Sequence, residues 1–411
     1  MEGPSERRER PERPLPSPAP VCRPRLLSLA LVATVALTGC SLGDDAGRPP
    51  QLGAKSDDEE AAAKLGFPSS ATKNTVRVGG GDTAADVAGV ASAVFPSTQT
   101  ANRPTAVVLL DQDNWQAGVV ASALASPPIG GAFLLSSDGD LPAVSQDTLD
   151  RLDPKGSDLS KDAQVIRIGE DVPRPSGLKT AAIEGDNPFE LAAAVDRFQS
   201  AAKGRPSKNV VIASGERPEW AMPAGAWAAF SGDSVLLTQR NTLPPATRRA
   251  IQAHERPGIY IMGNDSVVSK RVEDELKKLG RVVRIQGPTP VQNAIAFSRY
   301  APDGKDFGWR TVTAGSVHTV ASTERPNDVV GAAMLTARGV PAPLLLTNRA
   351  DRIPPPLESA LLSVQPGFDD DRRDVAYNRT WVLGDDRTIS VAAQAKLDQI
   401  TELIPVQVNA P

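Results

Sequence analysis

Arginines are the residues in this sequence best suited to chemistry, because a guanidinium offers a planar fork that matches phosphate or carboxylate oxygens. Arg349 and Arg352 follow Leu346-Thr347, the end of a predicted parallel strand, which is where α/β sheets place ligands. This placement predicts an anion-binding loop. The other basic candidates for such a contact are Arg248, Arg249, Lys277, Lys278, Arg281 and Arg284.

Catalytic and metal-binding constellations are poorly supported. The two histidines, His254 and His318, have no metal-ligand spacing around them, and we expect both to be surface or loop residues. The acidic run 369–371 lacks EF-hand spacing and predicts a solvated loop. Ser-x-x-Lys occurs twice, without the partner motifs of the enzymes that use it. We therefore predict no enzyme activity, no cofactor and no metal.

The first 40 residues predict a targeting signal. Arginines at positions 7–25 precede an apolar stretch, Leu26 to Leu37, which is too short to span a bilayer of about 30 Å as a helix. The stretch ends in Leu37-Thr38-Gly39-Cys40, which resembles a bacterial lipobox. That resemblance implies cleavage before Cys40 and a lipid on the new N-terminal cysteine. Cys22 would leave with the signal, so we expect no disulfide in the mature chain.

Charge and composition narrow the class of partner. The 411-residue chain has a formal net charge of −4, so the global basic field that captures nucleic acid is absent. Residues 41–74 are polar and lack an apolar period, which predicts a flexible tether behind the lipid anchor. Richness in alanine, proline and arginine is typical of a high-GC bacterium, such as the Gram-positive actinobacteria.

An apolar strand with a leucine pair, a polar break and a proline occurs three times. The pairs begin at Leu134, Leu236 and Leu345, at steps of 102 and 109 residues, a period that fits a small domain rather than a solenoid unit. In each copy, apolar strands alternate with alanine-rich helices, which predicts parallel sheets buried between helices. One of the strands predicted in the third copy is Thr311–Ala314. We predict an α/β fold of three similar Rossmann-like modules, packed with pseudo-threefold symmetry through their small-residue helices.

Four elements recur in order in the three copies. The openings are Arg77-Val78-Gly79-Gly80, Ala182-Ile183-Glu184-Gly185 and Arg284-Ile285-Gln286-Gly287. A second element reads Ala213-Ser214-Gly215-Glu216 in copy 2, and Asp328 follows its counterpart in copy 3. The third is Pro343-Leu344-Leu345-Leu346, and the fourth is a strand that ends in glycine at 169, 263 and 384. At these residues the chain resembles the type 2 cell-wall-binding repeat family of Gram-positive surface proteins.

The resemblance implies three repeats that together bind an anionic polymer or glycan attached to peptidoglycan. The basic residues named above become the candidate contacts to that polymer. The second-element aspartate is kept only as Asp328, because Ala117 and Trp220 stand at the aligned positions. The predicted organisation is a signal peptide at 1–39, the lipidated Cys40 with a tether at 40–74, and repeats at 75–178, 179–280 and 281–411.

The combined interpretation is a non-catalytic envelope lipoprotein on the outer face of the cytoplasmic membrane. Its partners would be the wall polymer, the membrane through the N-terminal lipid, and other envelope proteins if it acts as a scaffold. The alternative is a lipid-anchored solute-binding protein, which also combines a lipobox with α/β domains. Two lobes and a hinge would fit a threefold period of about 100 residues less well.

Overall fold

The computed structural model describes residues 70–405 except 80, 303–305, 338–339 and 369–375. The predicted signal peptide, Cys40, most of the tether and the acidic run 369–371 lie outside the described residues. The strands are β1 (Ser70–Ala71), β2 (Thr75–Val78), β3 (Val107–Asp111), β4 (Ala132–Ser136), β5 (Val165–Ile168), β6 (Thr180–Ile183), β7 (Asn209–Ser214), β8 (Ser234–Thr238), β9 (Gly258–Met262), β10 (Arg281–Ile285), β11 (Val317–Ser322), β12 (Leu344–Thr347), β13 (Gly367–Phe368), β14 (Arg379–Leu383) and β15 (Ile404–Pro405).

Helices connect these strands. They are α1 (Thr83–Val94), α2 (Trp115–Ala121), α3 (Ala143–Leu152), α4 (Pro188–Lys203), α5 (Pro218–Ser231), α6 (Pro245–Ala253), α7 (Lys270–Leu276), α8 (Pro290–Arg299), α9 (Asp328–Ala337), α10 (Pro355–Leu362) and α11 (Val391–Thr401). No helix within the described ranges is long and apolar enough to cross a membrane.

Three sheets of parallel strands carry the fold, which confirms the predicted α/β class. The first sheet has the strand order β4-β3-β5-β6, the second β8-β7-β9-β10 and the third β12-β11-β14-β2, with β1 antiparallel to β2. Most strands are nearly continuous apolar runs because both faces of each sheet are covered. Every residue of β4 and of β8 is buried, for example.

Each sheet takes its fourth strand from the next sequence repeat. Strand β6 follows the predicted boundary at 178, and β10 follows the one at 280, yet they complete the first and second sheets. The third sheet is completed by β2, the opening strand of the first repeat, which lies beside β14. The sheets are therefore offset from the sequence period by one strand, and the described chain closes into a ring.

Crossover helices carry the chain from one sheet to the next. Helix α1 leaves the third sheet and packs on β4, α4 leaves the first and packs on β8, and α8 leaves the second and packs on β12. At the centre, α2, α5 and α9 contact one another. Their small residues permit this, since a Cβ atom at Gly225 would lie 2.5 Å from Val329 Cγ2. The predicted packing of small-residue helices at a common centre is thus observed.

One predicted strand is wrong. The β-branched run Thr311–Ala314 favours a strand, but the structure has a loop there and places β11 at Val317–Ser322. Arg310 and Gly315 both have positive φ, at 58° and 88°, so the extended chain is broken on each side of the run. Val312 is 56% exposed, which means that the apolar residue of this run does not reach the core.

Both histidines are buried, which corrects their predicted surface position. His254 Nε2 lies 2.8 Å from Asp196 Oδ1, and its Nδ1 lies 2.8 Å from the carbonyl oxygen of Ser207. Burial lowers the pKa of His254, but the hydrogen bond and charge of Asp196 outweigh burial and leave that pKa raised. Burial lowers the pKa of His318 to about 4, so its ring is neutral at pH 7. The two contacts of His254 join the end of α6 to α4 and to the loop before β7.

Candidate functional site

The loops after β3, β7 and β11 meet at the N-terminal ends of the central helices. Their equivalence follows from strand register, because Asp111, Ser214 and Ser322 each lie beside the last residue of the neighbouring strand β4, β8 or β12. The carboxyl ends of parallel strands are where α/β folds present side chains to ligands. This loop face is therefore the candidate site.

Amide side chains join the loops across sheets. The Asn327 side-chain amide donates to the carbonyl of Gln112, and Gln116 Nε2 donates to the carbonyl of Gly215 at 3.2 Å. Gln116, Glu219 and Asn327 occupy equivalent positions, five residues after the strand end. A carboxylate cannot donate, and Glu219 instead pairs with Arg217 at 2.7 Å. Two of the three possible hydrogen bonds between neighbouring loops are therefore formed. The third is replaced by the ion pair of Glu219 with Arg217.

Exposed arginines stand at two of the three equivalent places on this face. Arg349 lies two residues after the end of β12, and Arg240 lies two residues after the end of β8. Both are exposed, and in the described part of the chain neither guanidinium forms an ion pair. The first sheet has Asp138 at this place. An anion would therefore meet arginine from the second and third sheets and a carboxylate from the first.

Most of the predicted basic residues between positions 248 and 284 are neutralised by carboxylates. Arg248 pairs with Glu275, and Arg249 Nη2 lies 2.9 Å from Glu190. Arg284 donates to Glu273 at 2.6 Å and is only 10% exposed. Lys277 pairs with the side chains of residues 273 and 274. All of these partners lie on α7 except Glu190, which lies on α4, and none of these residues joins the loop that carries Arg349.

Two other predicted arginines remain accessible, as does Lys278. Arg352 is 62% exposed and lies 3.4 Å from Asp351. Arg281 is exposed at the start of β10, near the phenol of Tyr260. Arg352 shares the loop of Arg349 after β12, whereas Arg281 belongs to the edge of the second sheet. The structure therefore unites only the pair Arg349 and Arg352 from the predicted set.

The opening arginine of the repeat has a structural task. Arg77 is 2% exposed and donates 2.8 Å hydrogen bonds to Gln394 Oε1 and to the carbonyl of Gly384. Arg284 donates in the same way to the carbonyl of Gly263 at 2.8 Å. Both arginines hold the glycine turn that ends the neighbouring strand. Arg284 therefore has a task inside the fold.

A buried ion cluster joins α1 to α9. Arg325 Nη2 lies 2.5 Å from Asp86 Oδ2 and 3.0 Å from Asp328 Oδ1. Burial raises the pKa of Asp86 to about 7 and that of Asp328 to about 6, although Arg325 lowers both. Asp328, the aspartate singled out by the resemblance, is thus only 2% exposed and structural. Asp86 and Arg325 were not predicted, because their contact needs the first and third repeats together.

The chemistry available at the loop face is charge and hydrogen bonding. No group of three or more histidine, cysteine, aspartate or glutamate side chains in the described residues could hold a metal ion. Arg240 was not predicted from the sequence. Its position could have indicated it, because Arg240 follows Thr238 by two residues just as Arg349 follows Thr347. Aligning the strand ends would have found it.

Comparison with known proteins agrees with this fold. Residues 182–273 match the family model of Cell wall binding domain 2 (CWB2), which confirms the predicted recognition of a type 2 cell-wall-binding repeat. The match falls on the second repeat, from β6 to α7. No curated protein sequence matches the chain.

Two solved structures share the arrangement. Cwp6 from Clostridium difficile has a TM-score of 0.64 at 18% identity, covering 82% of this chain and 49% of that chain. Cwp8 from Clostridium difficile has a TM-score of 0.60 at 18% identity, covering 80% of this chain and 52% of that chain. The chain spans about half the length of these two proteins, and the likeness establishes the fold.

Proposed function

We propose that this protein is a non-catalytic, membrane-anchored binding protein of the cell envelope that holds an anionic cell-wall polymer. The observation that carries the proposal is the match of residues 182–273 to a cell wall binding domain within a closed ring of three such sheets. A closed ring presents its strand ends as one composite face. An extended polymer could contact several loops of that face at once.

The arginines of the second and third sheets supply the attraction. Since the whole chain has a net charge of −4, long-range steering of a polyanion is unfavourable. Binding then depends on short-range, charge-assisted hydrogen bonds from Arg240, Arg349 and Arg352. Arg248, Arg249 and Arg284 contribute less, because their guanidiniums already face carboxylates of this chain.

The double change Arg240→Ala with Arg349→Ala is expected to weaken binding to purified cell walls at least about tenfold, since each charge-assisted hydrogen bond contributes about 1.5–3 kcal/mol. Co-sedimentation with walls, before and after chemical removal of anionic polymer, measures the effect. Added salt should weaken the wild type.

The matched control for this experiment is Arg249→Ala. Its guanidinium is exposed but paired with Glu190, so wall binding should stay at the wild-type level. Equal binding by the wild type and the Arg240/Arg349 double variant would remove the loop face from the site. Absence of wall binding by every variant would contradict the proposed ligand and favour a scaffold for proteins.

The membrane anchor is tested at Cys40. Because the lipobox predicts that this thiol carries the lipid, Cys40→Ala should leave an uncleaved precursor or a protein released into the medium. Cell fractionation and labelling with a fatty-acid analogue measure this. Cys22→Ala is the control and should keep the wild-type distribution. An unlabelled wild type that fractionates like Cys40→Ala would contradict lipid anchoring.

A further inference from the structure

In the third sheet, the fourth strand, β2, is covered on its outer edge by a further short strand. Strand β1 pairs antiparallel with β2, with Ser70 opposite Arg77 and Ala71 opposite Val76. The backbone amide of Thr72 also donates to the carbonyl of Thr75 at 2.8 Å. A short extended segment thus covers the fourth strand of this sheet. By register, β6 and β10 are the fourth strands of the other two sheets.

Strand β6 has the same outward backbone groups without a covering strand. The carbonyls of Lys179 and Ile183 accept from amides of β5 and the turn after it, at 3.1 and 3.0 Å. Alternation along a parallel strand therefore turns the N–H and C=O groups of Thr180 and Ala182 outward. Among the described residues, no hydrogen bond reaches these outward groups.

The β6 edge also lacks the usual side-chain protection. Natural edge strands are commonly guarded by charged side chains, proline or a bulge. Arg77 and Arg284 occupy the corresponding position of β2 and β10, whereas β6 has the exposed Ala182. The segment Thr180–Ile183 contains no proline or charge. Its backbone is accessible to an incoming strand.

A groove of about 580 Å³ lies beside this edge. Leu159, 44% exposed, and the half-buried Phe198 supply apolar surface, and Thr180 and Ala181 form the strand side. Lys161 and Lys179 also line the groove. The Lys179 side chain is 68% exposed, and its ammonium nitrogen lies 3.4 Å from a carboxylate oxygen of the equally exposed Asp162. The groove therefore combines an apolar floor with positive charge.

We propose that β6 is a β-augmentation site for an extended segment of another protein, which pairs antiparallel with Thr180–Ile183. The backbone supplies the pairing, Leu159 and Phe198 accept an apolar side chain, and the two lysines select acidic flanks. A second copy of this chain, paired through its own β6 edge, is the competing occupant, and the experiment below distinguishes it. This site is separate from the polymer-binding loops.

The test uses the full-length protein and two labelled eight-residue peptides. Valine and threonine alternate in both, between terminal glutamates in one and terminal lysines in the other. We expect the glutamate peptide to bind at least tenfold more tightly by fluorescence anisotropy. It should also slow hydrogen exchange in residues 179–183 and leave β10 unchanged. No binding at millimolar peptide would overturn the proposal.

Ala182→Pro separates docking from folding. The outward N–H of this residue has no partner within the sheet, so proline removes only the group offered to the incoming strand. We expect at least tenfold weaker peptide binding with an unchanged unfolding midpoint. If this variant does not fold, Lys161→Glu with Lys179→Glu should reverse the peptide preference, while Lys278→Glu should not.

Other outcomes would contradict the proposed partner. Wild-type binding retained in both Ala182→Pro and the Lys161/Lys179 double variant would exclude β6. Self-association of the wild type that is lost in Ala182→Pro would assign the edge to a second copy. Protection of residues 179–183 by purified wall polymer, without protection by the glutamate peptide, would assign it to the glycan.

Discussion

Arg325→Met is expected to destabilise the protein by about 3–5 kcal/mol at pH 8, because it leaves two buried carboxylates without their counter-charge. Asp86 and Asp328 are 3% and 2% exposed, and both accept from the Arg325 guanidinium. Methionine fills similar volume, so loss of charge compensation outweighs loss of packing. The midpoint of urea unfolding measures the effect.

The loss should shrink as the pH falls. Burial raises the pKa of Asp86 to about 7 and that of Asp328 to about 6 with Arg325 present, and removing Arg325 raises both further. Groups with a raised folded pKa bind more protons in the folded than in the unfolded state between about pH 4 and that pKa. Acidification from pH 8 to pH 5 therefore stabilises the variant more than the wild type.

Arg217→Met is the matched control, since Arg217 stands at the equivalent position after β7. Arg217 is 50% exposed and pairs with Glu219, so its replacement should cost less than about 1 kcal/mol at either pH. A second comparison is Asp86→Asn, which should flatten the wild-type gain on acidification. A pH-independent deficit in Arg325→Met would show that packing rather than charge dominates the cluster.

The local pattern of the sequence was sufficient for the fold class. The runs Ala106–Leu110 and Val235–Leu237 are apolar, which predicts strands buried on both faces, and the structure has β3 and β8 at these places. The run Thr311–Ala314 failed because β-branched composition is a weak prior against left-handed residues at both of its ends. The strand propensity of these four residues does not reveal that the extended chain ends on both sides of them.

The closure of the three sheets into a ring could not be predicted from the local sequence pattern. Strand β2 looks like the start of the first repeat, yet it pairs with β14, about 300 residues later. Nothing in a strand of four residues specifies which sheet it joins, since that choice depends on where α1 delivers the next strand. The contact of Asp86 with Arg325 could not be predicted for the same reason, because it joins residues of the first and third repeats that are far apart in the sequence.

Charged residues were the least predictable part of the site. Arg284 and Arg349 look alike in the sequence, but Glu273 and a glycine carbonyl hold the first inside the fold. Whether a guanidinium is available depends on carboxylates brought close by helix packing. The three-dimensional equivalence of Arg240 and Arg349, by contrast, follows from strand ends that are visible in the sequence.

Gly225→Val is expected to cost about 2–3 kcal/mol, because the three central helices leave no room for a side chain at this position. A Cβ atom on Gly225 would lie 2.5 Å from Val329 Cγ2 and 3.3 Å from the carbonyl oxygen of Val119. The partner Val329 is stiff, β-branched and fully buried, so it cannot swing away. Gly225→Ala should lie between the wild type and the valine variant.

Gly331→Ala on α9 should have the opposite sign, which makes the pair a test of central packing rather than of glycine itself. Its Cβ atom would meet nothing closer than 3.6 Å, at Leu383 Cδ1. Alanine in a helix interior is favoured over glycine by about 0.5–1 kcal/mol, so this variant should be more stable than the wild type. Urea unfolding of Gly225→Val, Gly225→Ala and Gly331→Ala measures the order. Equal effects of alanine at positions 225 and 331 would contradict close packing of α5 against α9, and with it the joining of the three sheets through their central helices.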